Sequence, residues 1–411
     1  MLDIQFIREN PSLVQKAAES KGTRVSVDHL LEIDHEVRKL SQEVQALREE
    51  RNKLAKERNV EKGKELKITL EKKEASLSAL EEELKIELFK IPNLPKKDVK
   101  VGKDESENEV LRKEGEPRKL DFPAKDHLEL GEALNIIDVK TASKVSGPRF
   151  AYLKNEGVLL EFALVQLALE TLIHEGFIPI VPPVLIKTEV MKGLGYMENG
   201  GDEDMFHISP DGFTLVGTAE HAIVPMHRDE TFQKKDLPLR YVGFSTAFRR
   251  EAGSYGKDTK GILRVHQFDK VEMVSFVEEG KDDEEHEYLL SLEEKLFQAL
   301  KIPYQVVKMV TGDLGFPAAR KYDIEAWMPG QGEYREITSV STVTDFQSRR
   351  LNIRYQDGPD KKYVNVLNGT AFAIGRTLIA VLENYQQQDG SVLIPDVLQK
   401  YLGKEKISQT R

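Results

Sequence analysis

The sequence predicts an α+β fold in two parts: an N-terminal antiparallel helical hairpin, and a larger domain with a mostly antiparallel sheet flanked by helices. The hairpin is indicated by aliphatic residues that recur at alternating spacings of three and four within the first hundred residues. The sheet is indicated by several short alternating runs with few helical stretches between them. Because residues 96–118 are rich in charge, glycine and proline, we predict a linker there and domains at residues 1–105 and 106–411.

Two heptad seams predict the two arms of the hairpin. The first seam is broken only at Arg51, the second contains Lys73, and the break near Gly63 predicts the turn. At about 1.5 Å per residue each arm extends roughly 40–50 Å, which is too long to bury in one domain, so we expect the arms to project. The aliphatic positions are Leu30, Ile33, Val37, Leu40, Val44, Leu47 and Leu54 in the first seam, and Leu66, Leu70, Leu77, Leu80 and Leu84 in the second.

Positive charge is concentrated at residues 51–73, which we call the hairpin tip. This segment holds nine lysines and arginines against four glutamates, in a chain whose net charge is −10. Such a patch suits contacts to phosphate groups, although a solvated face of a coiled coil is the alternative interpretation. The candidate contact residues are Arg51, Lys53, Lys56, Arg58, Lys62 and Lys64.

The composition excludes several classes of protein. With 39% hydrophobic residues among 411, the chain has enough apolar side chains for a large core. The sequence contains no cysteine, which excludes disulfides, thiolate nucleophiles and cysteine-bound zinc and favours a cytoplasmic location. The acidic balance argues against a uniformly basic nucleic-acid binder. No apolar run approaches the roughly 20 residues of a membrane span and residues 1–8 do not resemble a signal peptide, so we expect no membrane association.

The common phosphate-binding loops are missing from the sequence. It contains neither G-x-x-x-x-G-K-[ST] nor a G-x-G-x-x-G after a predicted strand. His221 and His227 lack the spacing and the glutamate of a helical zinc site, so we predict no zinc. The chemistry must therefore lie elsewhere in the chain.

Residues 248–273 carry an unusual density of arginine and glutamate on runs that look like strands. Residues two apart on a strand share a face, so we expect Arg249 and Glu251 to point the same way. The same rule aligns Arg264, His266, Phe268, Lys270 and Glu272. Such a face suits a nucleotide, with arginine on phosphate oxygens, Phe268 on the base and Glu251 on an exocyclic amine. The alternative is a surface ladder of cross-strand ion pairs.

Two further groups of residues suggest binding. Alternation places Glu336 and Thr338 on one face of a strand and Ser339 on the other, unless the strand is bulged; carboxylate and hydroxyl oxygens suit Mg²⁺ bound together with phosphates. Residues 368–376 form a loop of small residues that enters an apolar helix, and such a helix start can meet an anion, with Arg376 close behind. The alternative for the loop is a packing site.

These segments together resemble the class II aminoacyl-tRNA synthetases, and within them the seryl-tRNA synthetase family. Gly176 to Pro183, Phe248 to Phe268 and Gly369 to Arg376 are similar to the three class II motifs, with Pro183 at the position of the dimer-interface proline. Residues 218–220, 344–350 and 352–355 are similar to segments peculiar to the seryl branch. The likeness covers nearly the whole chain, including the hairpin.

The resemblance implies a class II catalytic domain, a homodimer and a serine–tRNA ligase that uses ATP and Mg²⁺. Such an enzyme forms seryl-adenylate and then transfers the seryl group to the 3′ end of tRNA(Ser), and of tRNA(Sec) where the host has it. The sequence departs from the family at Val340 and Val343, in a stretch that often carries cysteine, and in a hairpin that looks shorter than is common in bacterial relatives. Two alternatives are a ligase that loads an amino acid onto a carrier protein, which would lack the long arm, and a non-catalytic paralogue.

The resemblance also implies roles for individual residues. Arg249, Glu251 and Arg376 are the implied catalytic residues, and Glu336 and Ser339 are the implied ligands of Mg²⁺. The implied ATP contacts are Arg249, Arg250, Glu251, Arg264, Val265, Phe268, Glu336, Ile337, Thr338, Ser339 and Arg376. The implied serine contacts are Thr218, Ala219, Glu220, Arg249, Glu272, Asn368 and Thr370, with Thr218 and Glu220 on the ammonium group and Glu272 and Thr370 on the hydroxyl group.

Overall fold

The computed structural model describes residues 1–57, 59–252 and 260–409. The chain divides into two compact units, Met1–Leu94 and Pro95–Arg411. Residues 95–105, which the sequence analysis placed with the arm, therefore count with the second unit. The predicted role of residues 1–105 in tRNA binding stays a prediction.

The first unit contains the predicted helical hairpin. Its two long helices pack along each other, and Arg48 pairs with Glu74 at 2.8 Å while Lys73 pairs with Glu43 at 2.5 Å. The residue number rises along one helix as it falls along the other, so the pair is antiparallel. The helices are α1 (Ile4–Glu9), α2 (Pro11–Ser20), α3 (Val27–Lys56) and α4 (Val60–Phe89).

The heptad seams lie between α3 and α4. The aliphatic seam positions are buried or half-buried, whereas most of their neighbours along each helix are exposed. Asn59 caps α4 through its side chain, which accepts from the backbone N–H of Lys62. The turn therefore precedes the predicted break, and Gly63 lies inside α4.

The second unit is built on an eight-stranded sheet. The strand order is β1-β11-β12-β13-β16-β10-β9-β4, and every neighbouring pair is antiparallel except β4 and β9, as the sequence predicted for most of the sheet. The strands of the chain are β1 (Glu109–Glu114), β2 (Ile137–Asp138), β3 (Tyr152–Leu153), β4 (Ile178–Ile180), β5 (Leu185–Lys187), β6 (His207–Ile208), β7 (Phe213–Leu215), β8 (Thr231–Gln233), β9 (Leu239–Phe248), β10 (Gln267–Val277), β11 (Tyr304–Lys308), β12 (Arg320–Met328), β13 (Glu333–Thr344), β14 (Arg354–Asp357), β15 (Asp360–Tyr363), β16 (Asn365–Ala373), β17 (Val392–Leu393) and β18 (Lys406–Ile407).

Helices flank the sheet and close its core. The helices of this unit are α5 (His127–Ala133), α6 (Val139–Ser146), α7 (Glu156–His174), α8 (Thr188–Lys192), α9 (Glu220–Ile223), α10 (Asp282–Ala299), α11 (Phe346–Leu351), α12 (Ile374–Tyr385) and α13 (Asp396–Leu402). Helix α10 packs on β13 and β16, while α7 packs on α13, α12 and β9. A large apolar cluster joins these helices to the sheet and holds the central strands in place.

Helix α7 contradicts the prediction that no apolar run approaches the length of a membrane span. Its 19 residues are long and apolar enough to cross a membrane by length and composition, and it is the only such helix in the described ranges. Leu160, Leu164 and Leu172 of this helix are buried in the apolar cluster, as expected for a core helix.

Candidate active site

A cleft lies over the centre of the eight-stranded sheet. It encloses about 570 Å³ of space, part of it open to solvent. Its walls come from β10, β13, β16, the start of α12 and the segment before β10. The lining residues are Arg249, Glu251, Ile262, Leu263, Arg264, Val265, Phe268, Lys270, Glu336, Ile337, Thr338, Ser339, Thr370, Ala373, Gly375 and Arg376.

One edge of the cleft is built where β9 ends at Phe248. Arg249 and Glu251 follow the strand, and Glu251 has a left-handed backbone with a φ of +52°. Its Oε2 atom accepts from Arg264 Nη1 at 3.2 Å. The prediction that Arg249 and Glu251 lie on one strand face is therefore wrong in its local geometry, although both side chains line the cleft.

The predicted alignment of Arg264, His266 and Phe268 on one strand face is also wrong, because β10 begins only at Gln267. Contacts of the Arg249 backbone nevertheless hold the segment before β10 against the segment after β9. Arg249 N donates to His266 O at 3.0 Å, and Arg249 O lies 3.0 Å from His266 Nδ1. The Arg249 guanidinium lies 5.5 Å from the centre of the Phe268 ring. An arginine and an aromatic ring thus face the same space, as a nucleotide site requires.

The opposite edge of the cleft is formed by a bulge in β13. Glu336 pairs with Glu325 and Thr338 pairs with Ile324, so Ile337 is the extra residue. A bulge of one residue reverses the alternation and brings Glu336 and Ser339 to the same face. The Thr338 hydroxyl points away from them and donates to Glu293 Oε2 of α10 at 2.8 Å. The sequence left open whether this strand is bulged. The structure shows a bulge at Ile337.

Arg376, in the first turn of α12, holds Glu336 in the cleft. Arg376 Nη1 donates to Glu336 Oε2 and to its carbonyl oxygen, each at 3.0 Å. Burial tends to raise the pKa of the Glu336 carboxyl, but the positive charges of Arg376 and Lys321 outweigh it and lower this pKa to about 2. Glu336 is therefore an ionised carboxylate next to a hydroxyl group, which is a donor set suited to Mg²⁺.

Lys321 and Asp323, on the neighbouring strand β12, were not predicted as site residues from the sequence. Asp323 pairs with Ser339 in the register, and Lys321 Nζ lies 3.1 Å from Asp323 Oδ1. Burial raises the pKa of Asp323 to about 7, against the effect of Lys321. Only the pairing of β12 with β13 brings these side chains beside Glu336, so no local signal in the sequence pointed to them.

A cluster of buried polar side chains, which we call the pocket, adjoins the cleft and contains the predicted serine contacts. Thr218, Ala219 and Glu220 are all at most 4% exposed, and Glu220 begins α9. Glu220 Oε1 accepts from the Tyr196 hydroxyl and from Gln347 Nε2, both at 2.9 Å. Both partners are neutral, and the described part of the chain contains no ion pair to Glu220. Burial raises the pKa of this carboxyl to about 7.

The other half of the pocket lies on β10 and β16. Lys270 Nζ lies 2.5 Å from Glu272 Oε2 and donates to Thr218 Oγ1 at 3.3 Å. Thr370 Oγ1 donates to Glu272 Oε2 at 3.2 Å. Asn368 is 7% exposed, and its Nδ2 atom has no hydrogen-bond partner in the described residues, so a donor is left for a ligand.

The structure does not bring every predicted contact to the cleft. Arg250 is exposed and absent from the lining residues, and its backbone N–H donates to Asp204 O at 2.8 Å. The glycine-rich residues 253–257 lie outside the described residues. His221 is buried and its Nδ1 accepts from Gly217 N at 3.1 Å; burial lowers the pKa of this ring to about 3. It supports the loop that carries Thr218.

The hairpin tip presents its predicted phosphate contacts to solvent. All of the described candidates are exposed, and none of them forms an ion pair with another described residue. These residues are Arg51, Lys53, Lys56, Lys62 and Lys64. Arg58, the remaining candidate, lies outside the described residues.

Both units of the chain match known protein families. Residues 206–385 match the tRNA synthetase class II core domain (G, H, P, S and T), and residues 1–95 match the seryl-tRNA synthetase N-terminal domain. The chain is 44% identical to the serine–tRNA ligase of Dictyoglomus thermophilum over 99% of both chains, and 44% identical to that of Acidothermus cellulolyticus over 100% of both.

Solved structures agree with the sequence relatives. The crystal structure of seryl-tRNA synthetase from Pyrococcus horikoshii complexed with ATP matches with a TM-score of 0.93 and 41% identity over 100% of both chains. The cytoplasmic serine–tRNA ligase from Naegleria fowleri in complex with AMP matches with a TM-score of 0.91 and 31% identity, covering 100% of this chain and 99% of that one.

The sheet, the cleft and the core-domain match define a class II aminoacyl-tRNA synthetase fold. The full-length relatives narrow this class: the chain belongs to the seryl-tRNA synthetase family. The predicted fold class and the predicted family are thereby confirmed.

Proposed function

We propose that this enzyme activates serine with ATP to form seryl-adenylate and pyrophosphate, and then transfers the seryl group to the 3′ end of tRNA(Ser). The observation that carries the proposal is the junction at Lys270 and Thr370, where a cleft lined with arginines meets a buried pocket that contains two carboxylates. The cleft suits a nucleotide triphosphate, and the pocket suits a small zwitterion with one hydroxyl group. A carrier-protein ligase would need no basic helical arm.

The lining of the cleft supports ATP bound in the orientation that the resemblance to the family implies. Phe268 stacks on adenine and Glu251 accepts from its amino group, while Arg264 and Arg376 hold the γ-phosphate of a bent triphosphate. In the structure Arg264 and Arg376 are paired with Glu251 and Glu336. We expect these ion pairs to loosen as phosphate oxygens arrive.

Mg²⁺ fits the face that Glu336 and Ser339 share. When bound with ATP it neutralises charge on the phosphates and orients them. The chain supplies an ionised carboxylate and a hydroxyl group, and the remaining oxygen ligands of a hard cation would come from phosphates and water.

The first chemical step needs no general base from the chain. A serine carboxylate oxygen attacks the α-phosphorus atom, the bond from that phosphorus to the bridging oxygen breaks, and pyrophosphate leaves with the bond electrons. Arg249 lies between the cleft and the pocket, with Nε bonded to Gly217 O at 3.2 Å, where its guanidinium can hold both the serine carboxylate and the α-phosphate. Orientation and charge neutralisation then account for the rate.

The second step transfers the acyl group from the adenylate to a ribose hydroxyl at the 3′ end of the tRNA, with release of AMP. Arg51, Lys53, Lys56, Lys62 and Lys64 of the hairpin tip are exposed and form no ion pair with another described residue, which supports a contact to tRNA phosphates. We extend the proposal to tRNA(Sec) where the host has it, since the tip contacts carry no base information. We also propose a cytoplasmic location, which the cysteine-free sequence favours.

We further propose that the enzyme is a homodimer joined through α7 and β4. Phe162 of α7 and Val181 beyond β4 are 57% and 79% exposed, and Leu159 and Ile178 beside them are also exposed. Exposed apolar residues grouped in this way indicate a protein interface. Pro183, at the position of the family's dimer-interface proline, is exposed as well.

If the enzyme is a homodimer, a single substitution at the interface should lower the mass of the sedimenting particle. We expect Phe162→Asp to sediment as a monomer in analytical ultracentrifugation, because a buried aspartate at the interface would remain unpaired. The control Val101→Asp replaces another exposed apolar residue, 73% exposed, and is expected to leave the mass unchanged. A wild-type chain that sediments as a monomer would disprove the dimer.

Serine binding should depend on pH through Glu220. Below about pH 7 its carboxyl is protonated and loses the charge that attracts an ammonium group, whereas above pH 7 it is ionised. We therefore expect the KM for serine to rise by about tenfold per unit as the pH falls below 7. Glu220→Gln should have a high KM with a flat pH profile. A wild-type KM that is constant from about pH 5.5 to 8 would contradict this assignment.

Pyrophosphate exchange tests the proposed activation step. We expect serine, and neither alanine nor glycine, to drive exchange of labelled pyrophosphate into ATP, because a pocket built to bond a hydroxyl group rejects an analogue that lacks it by about 10⁴-fold. Threonine is excluded by size, which gives weaker discrimination. Absence of serine-dependent exchange would favour the non-catalytic paralogue.

A further inference from the structure

The serine pocket contains a lysine to which the proposed function gives no substrate contact. Lys270 lies on β10, and its side chain is 8% exposed. Its Nζ atom lies 2.5 Å from Glu272 Oε2 and 3.3 Å from Thr218 Oγ1, so it contacts both halves of the pocket. A buried ammonium group at this position must affect which charges the pocket accepts.

The charges of the pocket do not by themselves distinguish the two ends of the substrate. Serine carries one ammonium group, and the pocket offers two buried carboxylates, Glu220 and Glu272, that are 2% and 1% exposed. Arg249 is assigned to the substrate carboxylate. If both glutamates were unpaired, the ammonium group would have two competing sites, and the hydroxyl group would have no site of its own.

The contacts of the two glutamates differ in kind. Glu220 accepts only from the neutral Tyr196 and Gln347 within the described part of the chain. Glu272 is paired with the Lys270 ammonium and also accepts from Thr370 Oγ1, and both contacts are made to Oε2. The Oε1 atom of Glu272 takes part in neither contact.

The position of Lys270 follows from the strand. Lys270 and Glu272 are two residues apart on β10, so their side chains share a face. The pairing of β10 with β16 is irregular between Val271 and Glu272, and this places Glu272 opposite Thr370. Lysine and threonine therefore reach the same carboxylate oxygen from two strands.

We propose that Lys270 is a specificity-determining residue: its ammonium group neutralises Glu272, reserves this carboxylate for the serine hydroxyl group and leaves Glu220 to bind the serine ammonium group. The inference rests on the proposed activation of serine. It predicts that the pocket rejects an amino acid that carries a second ammonium group in place of the hydroxyl group, because that group would lie beside Lys270.

The test compares serine with 2,3-diaminopropionate, in which an amino group replaces the serine hydroxyl. Pyrophosphate exchange gives kcat/KM for both amino acids in the wild-type enzyme and in Lys270→Met. We expect the ratio of diaminopropionate to serine to rise at least about tenfold in Lys270→Met, since Glu272 then attracts the second ammonium group. Most of the loss for serine should lie in KM.

A double variant keeps the test decisive if Lys270→Met does not fold. Lys270→Met/Glu272→Gln leaves no unpaired charge at this position, and a glutamine can still accept from the serine hydroxyl. We expect this variant to activate serine and to reject diaminopropionate about as strongly as the wild type does. The control Lys308→Met removes another buried lysine, which pairs with Asp98 at 2.6 Å, and should leave the ratio unchanged.

Two results would overturn the role of Lys270. One is a ratio in folded Lys270→Met within about twofold of the wild-type ratio. The other is a folded double variant in which the ratio is raised as much as in Lys270→Met, which would show that the rise does not depend on an unpaired Glu272. Both results require that the wild-type enzyme shows serine-dependent pyrophosphate exchange. If the wild type shows no such exchange, the proposed function itself is rejected.

Discussion

Arg249→Ala is expected to lower kcat/KM for serine-dependent pyrophosphate exchange by about 10³-fold or more, which corresponds to roughly 4 kcal/mol of transition-state stabilisation. Arg249 is placed where the cleft meets the pocket, and its guanidinium faces Phe268 while Nε is held by Gly217 O. Its removal takes away the one cation assigned to both reacting groups, the serine carboxylate and the α-phosphate. Steady-state exchange kinetics at saturating ATP and then at saturating serine measure the loss for each substrate.

The control for this variant is Arg228→Ala. Arg228 is 48% exposed in its side chain and pairs with Glu189 and Asp229 outside the cleft, so its loss should leave exchange within about twofold of wild type. Circular dichroism and thermal melting show whether both variants fold. Folded Arg249→Ala with an exchange rate near that of the wild type would refute the central role of Arg249.

Shortening the hairpin is expected to separate the two steps of the reaction. Lys73 Nζ and Glu43 Oε2 are 2.5 Å apart, so residues 45–71 can be replaced by a short glycine–serine turn that rejoins the arms. This deletion removes all of the candidate phosphate-binding residues at the hairpin tip. We expect exchange within about twofold of wild type, and kcat/KM for charging of tRNA lowered by about 10³-fold or more.

A second variant separates charge from length. Replacing Arg51, Lys53, Lys56, Lys62 and Lys64 by alanine keeps the arm and removes five exposed cations. Binding of tRNA should weaken, and the slope of log affinity against log salt should become shallower, by about 0.7–0.9 for each tRNA phosphate that the variant no longer neutralises. Wild-type charging by the shortened chain would show that the arm does not bind tRNA.

Periodic elements were predictable from the sequence because each is determined by neighbours in the chain. The mostly antiparallel sheet contains the strands that short alternating runs predicted, and the heptad seams of α3 and α4 lie where their spacing placed them. A 3.6-residue or two-residue repeat of apolar side chains is visible locally, and burial of that repeat is what forms the element.

The parts of the site that were predicted incorrectly depend on contacts between distant segments. Strand β9 ends at Phe248 and Glu251 has a positive φ, so the two residues do not follow strand alternation. Contacts between His266 and the Arg249 backbone bring the two segments together. The bulge at Ile337 reverses the alternation that sequence reasoning assumes. None of these features leaves a repeat in the sequence, because each depends on the register between strands.

Residues to which the sequence assigned no role were missed for the same reason. Tyr196 and Gln347 lie 24 and 127 residues from Glu220, yet both bond its carboxylate. Lys270 was visible as part of a charged face, but its pairing with Glu272 and Thr218 follows only from the folded pocket. The resemblance to the family supplied candidate roles for the motif residues. The structure adds the residues that form hydrogen bonds and ion pairs with those motif residues.

Charging of tRNA by the whole chain tests the central claim most directly. The enzyme, ATP, Mg²⁺ and radiolabelled serine are incubated with a tRNA(Ser) transcript, and label in acid-precipitable RNA is measured before and after mild alkali. We predict serine-dependent label that alkali releases, as for an ester at the 3′ end. Serine-dependent pyrophosphate exchange with no label on tRNA would contradict the account and favour a ligase that loads serine onto another carrier.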